Sequence, residues 1–163
     1  MPICEHLLVR AEPNRFFGWP ANNGAWIWDG REILVGYAAG GYAVQPGHNI
    51  VEPISLQFAR SLDGGETWQA ETPEGFVGEG GAPLDPPGGI DLAAPGFALR
   101  VMGAGYHGCE DPRGRFYYSV DRGRRWRGPY TLGNLADAPE LRGWELTPRT
   151  DYVVNGPQEC LLL

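Results

Sequence analysis

Side chains able to do chemistry gather in a few short stretches of this 163-residue chain. Arg15 to Gly24 reads Arg-Phe-Phe-Gly-Trp-Pro-Ala-Asn-Asn-Gly, one guanidinium among aromatics and amides. A guanidinium fork matches a carboxylate bidentately, and an indole such as Trp19 offers either a platform for a sugar ring or plain core packing. The plainer role for Arg15 is a surface arginine stacked on Phe16 or Trp19. His48 and Glu52 stand in a segment flanked by glycine and proline, where a solvated side chain is the ordinary outcome. His107, Cys109, Glu110 and Asp111 crowd one loop without recognised ligand spacing, so no metal and no other cofactor is expected. Gly103-Ala104-Gly105 lacks the following helix that a phosphate cradle needs. Arg122-Gly123-Arg124-Arg125-Trp126-Arg127 is the basic cluster of the chain and reads as a solvated hairpin edge. Arg100, alternating with Leu99 and Val101, reads as an ion pair at a sheet edge.

The element that organises these stretches is a turn that occurs twice. Ser61-Leu62-Asp63-Gly64-Gly65-Glu66-Thr67-Trp68 returns as Ser119-Val120-Asp121-Arg122-Gly123-Arg124-Arg125-Trp126, with the tryptophans 58 residues apart. Ser, Asp, Gly and Trp hold positions 1, 3, 5 and 8 of both copies. Asp63 and Asp121 can turn a carboxylate back onto the backbone N–H groups that follow. Gly65 and Gly123 supply the positive φ of a chain reversal. Trp68 and Trp126 then open the return strand. β-formers precede both turns, at Ile54 to Ala59 and Arg115 to Tyr118, so each copy predicts a β-hairpin pinned at its tip.

Composition agrees with an all-β chain. The 25 Gly, 15 Pro, six Trp and seven Tyr favour strands and turns, and no segment keeps a 3.6-residue apolar period with caps. The length suits one domain, 1–163. Net charge is −7 and all 13 basic residues are arginine, a poor composition for binding nucleic acid. Cys4, Cys109 and Cys160 are odd in number and form no C-x-x-C pair, which leans towards a reducing compartment. No signal peptide is visible at Met1 to Arg10, and no apolar run approaches the roughly 20 residues of a spanning helix. The expectation is therefore cytoplasmic with no membrane contact, void if the start lies upstream of Met1.

In chain order, Cys4 to Arg10 predicts a short strand. Ala25 to Trp28, the Asp29-Gly30 turn, Glu32 to Tyr37, Ile54 to Arg60 and Trp68 to Glu71 make one four-stranded unit, about 25–71. Residues 72–96 hold 12 Gly or Pro and predict a long loop with no packed element. A second unit spans about 97–132. After an irregular connection, Thr150 to Val154 and Glu159 to Leu163 predict the start of a third, about 148–163.

The S-x-D-x-G-x-x-W frame resembles the Asp-box, or BNR repeat, of sialidase-like β-propellers, where it ties strands of a blade together away from the active site. The segments at Arg15, Glu32, Phe116 and Arg149 also resemble a bacterial exo-α-sialidase-like group, of which this chain would be the N-terminal part. The resemblance implies an incomplete propeller: about two and a half four-stranded antiparallel blades of a six-bladed fold. Blades bury their faces against neighbours, so such a chain is a fragment, or self-associates to cover its open faces, or is no propeller.

The family mechanism grips a sugar carboxylate with an arginine triad and uses an aspartic acid plus a Glu-activated tyrosine nucleophile, since a neutral phenol is not repelled by an anionic sugar. Little of it transfers. Gly18-Trp19-Pro20 occupies the frame of the family's Arg-Ile-Pro motif, leaving Arg15 as substitute. No aspartate stands just before the first box, so His48 or Glu52 would have to be the acid. Arg149 is the other candidate for carboxylate contact. The tyrosine and its glutamate belong to later blades, and the chain alone is expected to be inactive as a glycoside hydrolase. The alternative is a non-catalytic glycan- or protein-binding module in which Trp19, Tyr37 and Tyr42 stack on the ligand.

Overall fold

The computed structural model describes residues 5–76, 81–103, 114–132, 138–144 and 147–163. The chain is all-β, built of antiparallel sheets that do not close, and it divides into two compact units, Met1–Thr72 and Pro73–Leu163.

In the first unit, β1 (Arg15–Gly18) and β2 (Ala25–Trp28) lie end to end along the same edge of β3 (Glu32–Tyr42). One helical turn, Pro20–Asn23, interrupts them. β4 (Ile50–Ser61) pairs with the other edge of β3, and β5 (Gln69–Glu71) closes the meander on β4. The sheet thus has four tiers, as its hairpin signals predict, with the Asp29-Gly30 turn and the first box side by side at one end, where Gly64 N donates to Arg31 O at 2.9 Å.

β3 runs past its expected end at Tyr37 and through Gly40-Gly41 to Tyr42. Gly40 is held by Phe16, and Gly41 by both Arg15 and Val51, so neighbours on two sides keep a sequence of weak β propensity extended. The expected strand at Cys4 to Arg10 is a correction: residues 5–10 join no ladder. They lie across the sheet and are held by side chains. Val9 packs with Phe17 and Trp68 on a core of Tyr37, Ala39 and Ala59, while Arg10 Nη1 donates to Tyr37 Oη at 3.0 Å and to Gln57 Oε1 at 2.9 Å.

The second unit has a sheet of β6 (Ala98–Met102), β7 (Arg115–Ser119) and β8 (Arg127–Thr131), and a hairpin of β9 (Tyr152–Gly156) and β10 (Glu159–Leu162). Tyr152, Cys160 and Leu162 pack on the core of Phe97, Leu99, Val101 and Tyr118, leaving Val153, Leu161 and Leu163 on the exposed side. The hairpin also fastens the outer edge of β6. Thr150 Oγ1 accepts from Val101 N at 3.2 Å and donates to Val101 O at 2.9 Å, and Tyr152 Oη accepts from Leu99 N at 3.1 Å.

The described part of the glycine- and proline-rich stretch after Thr72 is irregular, as expected, and largely exposed, but single residues of it dock on the second sheet. Glu74 pairs with Arg125, at the end of the second box, and Leu84 with Tyr130 of β8, both as parallel bridges. Phe76 stacks between Tyr117 and Trp126, and the buried Arg100 guanidinium sits 5.0 Å from its ring. The segments have low strand propensity but meet a strand edge with unpaired backbone groups, and that pairing is invisible locally.

Candidate binding surface and the two boxes

Trp19 is the centre of the surface in the first unit. It has φ 61° and ψ 48°, the left-handed region, immediately before Pro20. A residue before proline is driven out of the right-handed helical region. The turn then holds Trp19 by its carbonyl, which accepts from Asn22 N at 3.1 Å and from Asn23 Nδ2 at 2.8 Å. Asn23 is buried, and Gly36 N donates to Gly24 O at 2.8 Å, which seats the turn on β3. A Cβ at Gly36 would lie 2.4 Å from Asn23 O, so only glycine permits that approach.

The Trp19 ring, half-buried, meets Phe16 at 5.1 Å between centroids and the exposed His48 at 5.0 Å, edge to face. His48 is positioned by its own loop. Its carbonyl accepts from Gln45 Nε2 at 2.7 Å, which also reaches Ile50 O at 2.9 Å, and Gln45 N donates to Asn49 Oδ1 at 3.2 Å. Tyr42, the last residue of β3, and Val44, which follows it, are exposed.

The other sequence candidates fall elsewhere. Arg15 is exposed on β1 and its guanidinium lies 5.8 Å from the Phe17 ring, so its aromatic partner is Phe17 rather than Phe16 or Trp19. Glu52 is in strand β4, not in a loop. It is exposed, and Oε2 accepts from Ile54 N at 2.7 Å, a bond within its own segment. Arg149 belongs to the second unit, half-buried, with its N–H on Leu163 O. Tyr37 is only 4% exposed, with Oη towards Phe58 O and Arg10, which removes it as a stacking platform. His107, Cys109, Glu110 and Asp111 lie outside the described residues.

Both boxes carry the expected bonds. Ser61 Oγ donates to Asp63 Oδ1 at 2.7 Å and accepts from Gly65 N at 2.8 Å; Ser119 Oγ does the same with Asp121 and Gly123 at 2.7 and 2.9 Å. Gly65 and Gly123 have φ of 101° and 74°. Asp63 takes the Thr67 hydroxyl and N–H, and the Thr67 hydroxyl first, then that N–H and Ser61, hold its carboxyl far below the usual carboxylate range. Burial pushes the Asp121 carboxyl up, but the N–H groups of Arg125 and Arg124 and the Ser119 hydroxyl outweigh it and leave it lowered.

Sequence reading missed one further assembly. Arg60, buried beside the first box, binds Glu71 through Nε at 2.8 Å and Nη2 at 2.6 Å, and Glu32 through Nη1 at 2.7 Å. Burial disfavours the Arg60 charge, yet the two carboxylates more than restore it. The signal was available: a hairpin folded at the box sets Arg60 opposite Gln69 and Phe58 opposite Glu71, on β4 and β5. Compared with known proteins, the chain matches no family model, no curated protein and no solved structure.

Proposed function

We propose that this chain is part of a sialidase-like Asp-box β-propeller protein and that its first unit binds a glycan by stacking a sugar ring on Trp19. The observation that carries this reading is the Trp19 conformation: a large aromatic residue held at positive φ, with Phe16 and His48 against its ring. Such backbone strain persists where the surroundings over-determine it, and it clusters at ligand-contacting sites. Gln45 and Asn49 fix the loop that carries His48, and Tyr42 and Val44, which lead into that loop, are exposed. The two boxes support the family placement by their shared spacing and bonds.

Binding fits these residues better than hydrolysis does. Glycoside hydrolysis needs an acid and a partner group facing one bond. Glu52 accepts a backbone N–H of its own strand, and the His48 ring lies in a T-shaped contact with Trp19. A glycan array followed by titration of intrinsic fluorescence tests the reading. The chain binds a glycan, Trp19→Ala weakens it about tenfold or more, Trp19→Tyr restores part, and a fluorogenic sialoside is not turned over. No binding to any glycan, or binding indifferent to Trp19→Ala in a protein that melts normally, would overturn it.

A further inference from the structure

The second box carries a pattern that the first shows to be unnecessary for the turn. Positions 4, 6 and 7 of the frame, with the residue after its tryptophan, are Gly64, Glu66, Thr67 and Gln69 in the first copy. In the second they are Arg122, Arg124, Arg125 and Arg127, four of the 13 arginines of an otherwise acidic chain. The serine–aspartate–glycine bonds close both tips alike, so the hairpin itself requires none of these arginines.

We propose that this tip is an anion-binding surface that takes a carboxylate- or sulfate-bearing polysaccharide through Arg124, Arg125 and Arg127. All three are exposed, and each is tethered. Arg124 Nη1 donates to Asp121 O at 3.1 Å, Arg127 Nη1 to Tyr118 Oη at 3.3 Å, and Arg125 Nη2 lies 3.2 Å from Glu74 Oε2 in an exposed ion pair. Tethers of this kind reduce the side-chain freedom lost when an anion arrives. The Glu74 pair is solvated and screened, so an incoming sulfate or carboxylate can replace it. Arg122, at φ 60°, holds a conformation for which the first box uses glycine, so a guanidinium is kept there against the local backbone preference. Guanidinium rather than ammonium suits planar, two-oxygen anions. The net charge of −7 opposes every polyanion alike, so binding falls to a local arginine cluster, and the charge sets no preference between duplex and polysaccharide. The choice of a polysaccharide over an acidic peptide rests on the glycan reading above; the arginines by themselves specify only an anion.

The test uses the whole chain with heparin as the sulfated probe, polygalacturonate as the carboxylate probe, and poly-glutamate and duplex DNA as competitors. At low salt the chain binds at least one polysaccharide, and R124Q/R125Q weakens it about tenfold or more with a log–log salt slope smaller by about two. Arg127→Gln and Arg122→Gly, measured singly, each give a smaller loss and guard against a double variant that fails to fold. Trp19→Ala keeps the heparin affinity, which separates this surface from the aromatic one. Absence of binding, arginine variants that bind as before, tighter binding of poly-glutamate or DNA, or heparin affinity lost with Trp19 would each overturn the proposal.

Discussion

In the first box Trp68 is half-buried and its indole N–H donates to Gly65 O at 2.8 Å, so the ring folds back on its own turn. In the second, Trp126 is buried; its ring meets Phe76, and its backbone N–H donates to Glu74 O at 2.7 Å. Both tips take upstream segments, Val9 and Arg31 at the first and Glu74 and Phe76 at the second, but among the described residues only in the first does the indole N–H bond to its own turn. The shared frame therefore specifies the reversal of the chain. What the tryptophan does next depends on what the surrounding sequence brings to it.

Removing the rings should separate the copies most. Trp126→Ala is expected to cost about 3–5 kcal/mol, the range for deleting a buried aromatic, whereas Trp68→Ala should cost about 2 kcal/mol, from partial burial and one hydrogen bond. Urea unfolding of the two variants checks the order, and equal losses would mean that the boxes are equivalent after all. Exchanging position 4 gives a smaller, signed effect. Gly64→Arg, forced to φ near 85°, should destabilise by about 1 kcal/mol. Arg122→Gly should gain less than that, because the added freedom of glycine in the unfolded chain offsets part of the relief. A loss of stability in Arg122→Gly would show that the arginine supports the tip.

The acid limb should differ least. Both aspartates are lowered in the folded state relative to about 3.9 in the unfolded chain. In that window the unfolded state binds more protons, so their contribution is complete above about pH 4 and is lost as pH falls through the folded values. Asp63→Asn should flatten the acid side of the urea-midpoint profile more than Asp121→Asn does, since Asp63 is the more strongly lowered. A profile unchanged in both variants would remove the carboxylates from the account of acid stability.

The legible parts of the fold were those in which residue type and near spacing decide the outcome. The frame of Ser, Asp, Gly and Trp, the Asp29-Gly30 turn and the Ala25–Trp28 strand are local, and they stand where the sequence puts them. Residues 5–10 read as a strand by propensity, yet Arg10 finds Tyr37 and Gln57 in the folded sheet, and side-chain bonds replace a ladder. The helical turn at Pro20–Asn23 was illegible because Trp19 at positive φ opposes ordinary preference. Of the site candidates, Trp19 and His48 meet through a loop whose closure depends on Gln45 and Asn49, residues that carry no chemical signature of their own. Glu52 looked like loop because Pro53 follows it, while β4 pairs with β3 on both sides of it, at Val51 and Ser55, across an irregularity in the register.

The way the second sheet finishes has a bearing on how this protein survives at high concentration. The hydroxyls of Thr150 and Tyr152 occupy the amide groups of β6 that would otherwise recruit a passing strand, and Leu84 occupies Pro129 O and Thr131 N of β8. Growth by adding strands to either rim, the usual route into fibrous aggregates, is thereby blocked at those positions. Crowding should then favour reversible contacts between faces over the irreversible stacking of edges.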